Sequence, residues 1–316
     1  MSLHVMRFYL LLFIVVFGSC KQKKSPKNSH LTPEYEVNFS PKLVQTDETY
    51  KYLGEVKIQN RSLIETSGIC ASRRIKGLIW AHNDSGDPAR IFAFGENGED
   101  YATIYLEGAT HYDYEDICMG KYKQDSLSYI FVADIGDNRR KRETIQIYRF
   151  PEPTIDTASR GSTITIPAKE ITTFNLSFPD GSRDAESIMF DPIEEVIYIL
   201  SKREEKVGIY RVLVQTETSN SLVLVAQLPL TWVVAGDISS DGKKIAVETG
   251  DSIWCWERIG NEPIGKALQR LPLKLPYQKE KQGEAFTWNQ KGNGYFTMGE
   301  GSLFKPSRLR KYEKIE

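Results

Sequence analysis

Several things are scarce in this chain. A surplus of basic charge is missing, since 41 Lys and Arg face 42 Asp and Glu for a net charge of −1. That argues against a nucleic-acid partner, which needs a basic stripe to neutralise phosphates. Long apolar runs are missing too. The one candidate, Phe8 to Gly18, has about 11 residues against the roughly 20 that a membrane-spanning helix needs. There is no G-x-S-x-G, H-E-x-x-H, Walker A or G-x-G-x-x-G, which disfavours a serine hydrolase of the elbow type, a zincin and a nucleotide-driven motor. Histidine and cysteine number four each. Of the cysteines, Cys70, Cys118 and Cys255 lie in the body. Their spacing is not that of a zinc site, and an odd number leaves at least one thiol free. They read as small buried apolar residues.

The N-terminus reads as an address rather than as fold. Arg7 precedes the run "FYLLLFIVVFG", the pattern of an export signal. "FGSC" places Gly18 and Ser19 before Cys20 and resembles the lipobox of bacterial lipoproteins. That resemblance implies a signal over 1–19, a lipidated Cys20 as mature N-terminus, and a bilayer reached through lipid alone. The competing reading is an ordinary cleaved signal with a chance cysteine. Residues 20–47 are polar and hold three prolines, which predicts a flexible tether. No acidic run follows Cys20. The expected location is therefore the bacterial envelope, anchored to the outer membrane on its periplasmic face.

The body, 48–316, repeats itself. "TSGICAS", "YEDICMG", "AESIMFD", "AGDISSD" and "GEAFTWN" share a small or acidic start followed by a short apolar strand. With Gly68, Asp116, Ser187, Asp237 and Ala285 taken as equivalent, the intervals are 48, 71, 50 and 48 residues. A second, a third and usually a fourth β-rich run follow each start, separated by turns such as "PDGS" and "SDGK". Four-stranded units of about 50 residues predict an all-β fold, a single β-propeller. Five blades are expected, with six if the insertion at 154–170 hides another sheet. The last unit lacks a fourth strand, and "KYLGEVKIQN" at 51–60 is a spare one that would close the ring.

In such a ring, the start of each first strand and the end of each second strand share one rim. Glu115, Glu186 and Glu284 fall at strand-one starts, with Asp116 and Asp237 one residue on. "HNDSGD" and "DIGDN" bring Asn83, Asp84, Asp87, Asp134, Asp137 and Asn138 to the strand-two ends, together with Glu248 and Glu300. Carboxylates converging on a poorly hydrated channel repel, so some stay protonated or a cation neutralises them. All-oxygen donors without Cys or His suit a hard ion such as Ca²⁺. The candidate ligands are Glu115, Glu186, Glu284, Asp237, Asp134, Asp84 and Asn83. The plainer alternative has inner-strand acids accepting from neighbouring backbone amides and holding the blades in register. His82 and His111 fall at the same rim. His111 and Asp113 are candidate acid–base groups. Arg183, Lys202 and Arg203 would receive a small anionic substrate such as a phosphate ester, or else simply pair with the acids.

With "ETSGI", "WAHNDSGD", "ADIGDN" and "RDAES", the body resembles exported bacterial propellers of unassigned function. More distantly it is similar to the calcium-dependent propellers: phytase-like, gluconolactonase-like and paraoxonase-like enzymes. That resemblance implies metal-facing roles for Glu115, Glu186, Glu284 and Asp134. Two functions follow as expectations: a calcium-dependent hydrolase of phosphoesters or lactones, or a non-catalytic module presenting loops to a protein or glycan at the envelope. Fold alone does not choose between them.

Overall fold

The computed structural model describes residues 31–214, 221–302 and 304–315. The expected signal over 1–19, Cys20 and the first part of the tether lie outside them. Among the described residues no helix is long and apolar enough to cross a membrane.

Strand β1, Tyr50–Lys57, is the first strand. The first blade follows: β2 Thr66–Ala71, β3 Leu78–Asn83, β4 Arg90–Gly95 and β5 Asp100–Leu106. The second begins with β6 Tyr114–Gly120, β7 Tyr129–Asp134 and β8 Ile145–Pro151. The chain then returns to the first blade with β9 Ser162–Ile166, which runs parallel to β5, and completes the second with β10 Thr172–Leu176. The insertion therefore adds a fifth strand to one blade and no sixth blade. Blade three is β11 Ala185–Asp191, β12 Val196–Ser201, β13 Val207–Val212 and β14 Val223–Leu228. Blade four is β15 Val233–Ile238, β16 Lys244–Thr249, β17 Ser252–Glu257 and the short β18 Leu273–Leu275. Blade five orders β19 Gly283–Trp288, β20 Gly294–Gly299 and β21 Arg308–Lys314, with β1 antiparallel along its outer edge.

The innermost strands, β2, β6, β11, β15 and β19, contact one another in cyclic order. "VIYILS" of β12 is buried at every residue because another sheet covers each face. The core lies between blades: Tyr198, Leu200 and Ile209 of blade three meet Ile238, Val247 and Trp256 of blade four. Each such side chain contributes about 1.5–3 kcal/mol by leaving water.

One expectation needs correction. Part of the stretch read as tether, 34–47, packs on the body. Tyr35 bridges in parallel to Ala226 of β14, and Thr46 to Lys274 of β18. Val37 and Val44 are buried in the core between blades three and four. Tyr35, Val37 and Phe39 alternate along one face, so this segment covers two outer edges that would otherwise present bare amides and carbonyls.

All five inner strands carry the same irregularity. One extra residue interrupts the pairing of strands one and two near the strand start: Ser67, Glu115, Glu186, Val234 and Glu284. A β-bulge re-aims its side chain, and here it does so at one height around the ring. This register corrects the alignment of the fourth repeat. Ala235, not Asp237, is the equivalent of Asp116 and Ser187. A slip of two residues keeps Asp237 on the same strand face but sets it roughly 6–7 Å deeper.

Candidate functional site

Aligned on the bulges, each blade contributes two residues to the mouth: the bulge itself and the residue just before the strand. Blades two and three supply Asp113 with Glu115 and Asp184 with Glu186. Blade five supplies Gln282 with Glu284, and blade one Glu65 with Ser67. Blade four supplies Trp232 with Val234. The mouth is therefore acidic on one side and apolar on another.

The acidic side converges. Asp84, Asp113 and Glu115 bring a carboxylate oxygen each within 4.8 Å of one another, and so do Glu115, Asp184 and Glu186. Glu115, Asp184 and Glu186 are buried, as is Asp113. Gly136 completes the cradle: a Cβ there would collide with the carboxylates of Glu115 and Asp113. Cations compensate only part of this charge. Lys202 Nζ lies 2.7 Å from Glu186 Oε1, and the Arg203 guanidinium pairs with Asp184. Glu115 has no ion-pair partner among the described residues; its nearest donor is the Ser67 hydroxyl at 3.4 Å.

Burial dominates the proton affinities. It pushes Glu115 well above the usual carboxylate range, and the charges of Glu186, Asp84 and Asp113 push the same way. Asp113 rises to about 6, chiefly by burial and then by Asp84, with Arg142 opposing. Glu186 rises to about 7 because burial outweighs the Lys202 ammonium. Burial would lower Lys202, but Glu186 overcomes it and its proton is held more tightly. Glu300, at the end of the blade-five hairpin, also reaches about 7 through burial and the nearby Glu284.

Other predicted residues are occupied elsewhere. Asp134 accepts from Tyr112 N and Asp113 N, and Arg142 Nη1 lies 2.8 Å from it, so it shapes the loop that carries Asp113. Asn83 pins the chain before β2, accepting from Ile64 N and Glu65 N and donating to Ser62 O and Asp87. Asp237 lies deep between blades four and five, accepting from Trp288 N at 2.9 Å and Thr287 Oγ1 at 3.0 Å. Asp116 does the same between blades two and three, accepting from Ile188 N at 2.9 Å. For Asp116 and Asp237 the inter-blade staple is what the structure places. Glu284 stands beside the acid group and is raised by burial, with Lys202 opposing.

The candidate acid–base and anion-binding residues divide. Asp113 is in the cluster. His111 is not: its ring stacks on Tyr114 at 3.8 Å, and its Nδ1 lies 3.2 Å from Pro88 O. His82 is fully buried, faces the second blade, and is held neutral with a pKa of about 4 by that burial. Arg183 is engaged by Asp180 and Glu204 and lies over Phe178 and Tyr210, away from the acids. Lys202 and Arg203 are at the mouth.

Three residues escaped sequence reasoning: Asp184, Arg142 and Trp232. The first had a signal, since Asp-x-Glu occurs at 113–115 and again at 184–186. The other two had none, because Arg142 sits in a loop that looks solvated and Trp232 resembles any strand-edge aromatic.

No family model matches the chain, and no curated protein does. Among solved structures, a similar one is the crystal structure of a nidogen/laminin complex, 11% identical, covering 75% of this chain and 73% of that one with a TM-score of 0.46. That likeness is too distant to bear on activity or partner. The fold and mouth themselves define an all-β, five-bladed propeller with an acidic channel entrance.

Proposed function

We propose that the mouth holds a divalent cation of the calcium class and uses it to bind and hydrolyse an anionic phosphoester or a lactone. The observation that carries this reading is Glu115, a buried carboxylate grouped with other carboxylates and without an ion-pair partner among the described residues. The donor chemistry fits: Asp84, Asp113, Glu115, Asp184 and Glu186 offer carboxylate oxygens alone, which a hard ion prefers. When bound, such an ion would polarise the substrate's oxygen and help ionise a water. A carboxylate of the mouth left unligated would then take the proton from that water. Lys202 and Arg203 would orient the anionic group. An export signal and lipidated Cys20 would put this site at the periplasmic face of the outer membrane, and β1 would serve as the strand that closes the ring.

A second reading, a non-catalytic recognition module, is favoured by the exposed aromatic residues Tyr112 and Trp232 on the rim. One experiment separates the two. The melting temperature of purified protein is followed with chelator, calcium and magnesium, and then phosphoester and lactone panels are assayed with and without Glu115→Gln. A rise in melting temperature with calcium, lost in the variant, together with turnover lost in the variant, is the expected result. A melting temperature indifferent to chelator and calcium sinks the cation. Calcium binding without turnover of any panel member leaves the recognition module.

A further inference from the structure

Where blades two and three place Asp113 and Asp184, blade four places Trp232. Trp232 is 53% exposed. Its backbone is in the left-handed region at φ 58°, where a bulky residue rarely sits. Two hydrogen bonds hold it there: Trp232 N donates to Lys202 O at 2.6 Å, and Gly250 N donates to Trp232 O at 3.2 Å. Strain of this kind persists only where the surroundings enforce it, and it clusters at ligand sites.

The indole overlooks a cavity of about 380 Å³ lined by Lys202, Val234, Lys279, Lys281 and Glu284 among others, at the lower end of the size range of small-molecule sites. Arg203 lies 4.8 Å and Lys202 5.9 Å from the ring centroid. Neither Lys279 nor Lys281 stands in an ion pair among the described residues, though the Lys281 ammonium acts on nearby Glu300 and Glu280 lines the same cavity. Tyr112, 67% exposed, stands elsewhere on the rim with Arg142 4.8 Å from its ring. The opening thus pairs a flat apolar platform with spare positive charge, and with carboxylates able to accept from hydroxyls.

We propose that this pocket is a binding subsite for an acidic sugar, with the C–H face of the ring stacked on Trp232 and its carboxylate received by Lys279 and Lys281. Glu284 accepts from ring hydroxyls. The subsite stands independently of the cation reading, because none of these contacts runs through the Glu115 cluster.

Trp80, Trp254, Trp256 and Trp288 are buried, so the red-edge emission of the folded protein reports Trp232. Galacturonate and glucuronate oligomers are titrated against that emission, and binding is measured in parallel by calorimetry, each with calcium and with chelator. Neutral oligomers of the same length and inorganic phosphate serve as competitors. The expected result is a spectral change with acidic oligomers in both buffers. Affinity should fall about tenfold or more in Trp232→Ala and in Lys279→Glu/Lys281→Glu, with unchanged melting temperature, and stacking should be partly rescued by Trp232→Phe. Three outcomes overturn the proposal: no acidic oligomer binding down to millimolar affinity, neutral oligomers binding equally well, or binding that appears only with calcium. The last would move the ligand to the carboxylates.

Discussion

Lys202 Nζ and Glu186 Oε1 stand 2.7 Å apart, both buried at the channel mouth, and each is the reason the other can carry charge there. Glu186 nevertheless holds its proton up to about 7, because burial costs its carboxylate more than one ammonium returns. The mouth is thus short of positive charge even with its own lysine in place.

The consequence for stability has a definite sign. Asp113, Glu186 and Glu300 have folded-state pKa values of about 6, 7 and 7, above those of unfolded carboxyls. The native state therefore binds more protons in that range, and stability falls as pH rises through about 6 to 7. Urea unfolding in chelator should give a lower stability at about pH 8 than at about pH 5, and Lys202→Met should steepen the fall. Under the cation reading, saturating calcium flattens it. A chelated protein more stable at the higher pH contradicts the picture of buried, uncompensated carboxyls.

Gly136 separates the site from the fold. The atoms nearest a Cβ there belong to the carboxyl groups of Glu115 and Asp113, and side chains shift more easily than backbone. Gly136→Ala is expected to cost about 1 kcal/mol or less in urea unfolding, yet to weaken calcium binding about tenfold by displacing two of its ligands. Calorimetry on the variant reads the second effect directly.

Asp116 tests the other use of inner-strand acids. Its carboxylate accepts from Ile117 N at 2.8 Å and from Ile188 N on the next blade at 2.9 Å. Asp116→Ala leaves two buried amides unpaired, and each costs about 1–3 kcal/mol. A large drop in denaturation midpoint with calcium affinity unchanged is expected. Asp116→Asn, which keeps an acceptor oxygen, should recover part of the loss.

How far the chain could be read without coordinates varies by residue. Glu115 and Glu186 were legible because a strand-one start is a local feature, and the period of apolar runs places it. The Asp-x-Glu pair that brings in Asp184 is equally local. Asp237 was misplaced because "GDIS" resembles "EDIC", although the bulge at Val234 sets that Asp-Ile pair two residues further along its strand than the pair after Glu115. Asn83 and Asp134 do end their strands at the rim. Whether a carboxamide or carboxylate there faces the channel or ties down a loop depends on which amides and guanidinium arrive beside it. His111 lies two residues before Asp113, but its ring packs on Tyr114.

Strand alternation, turn chemistry and the recurrence of five units are properties of neighbours along the polypeptide, so the amino-acid order alone determined an all-β ring of blades with acids near one end. Which acids share a cradle, which serve as staples between blades, and that one quadrant is aromatic instead, was decided by pairing between distant strands. Those contacts depend on register and bulge position across the sheet, and nothing in the linear order records them.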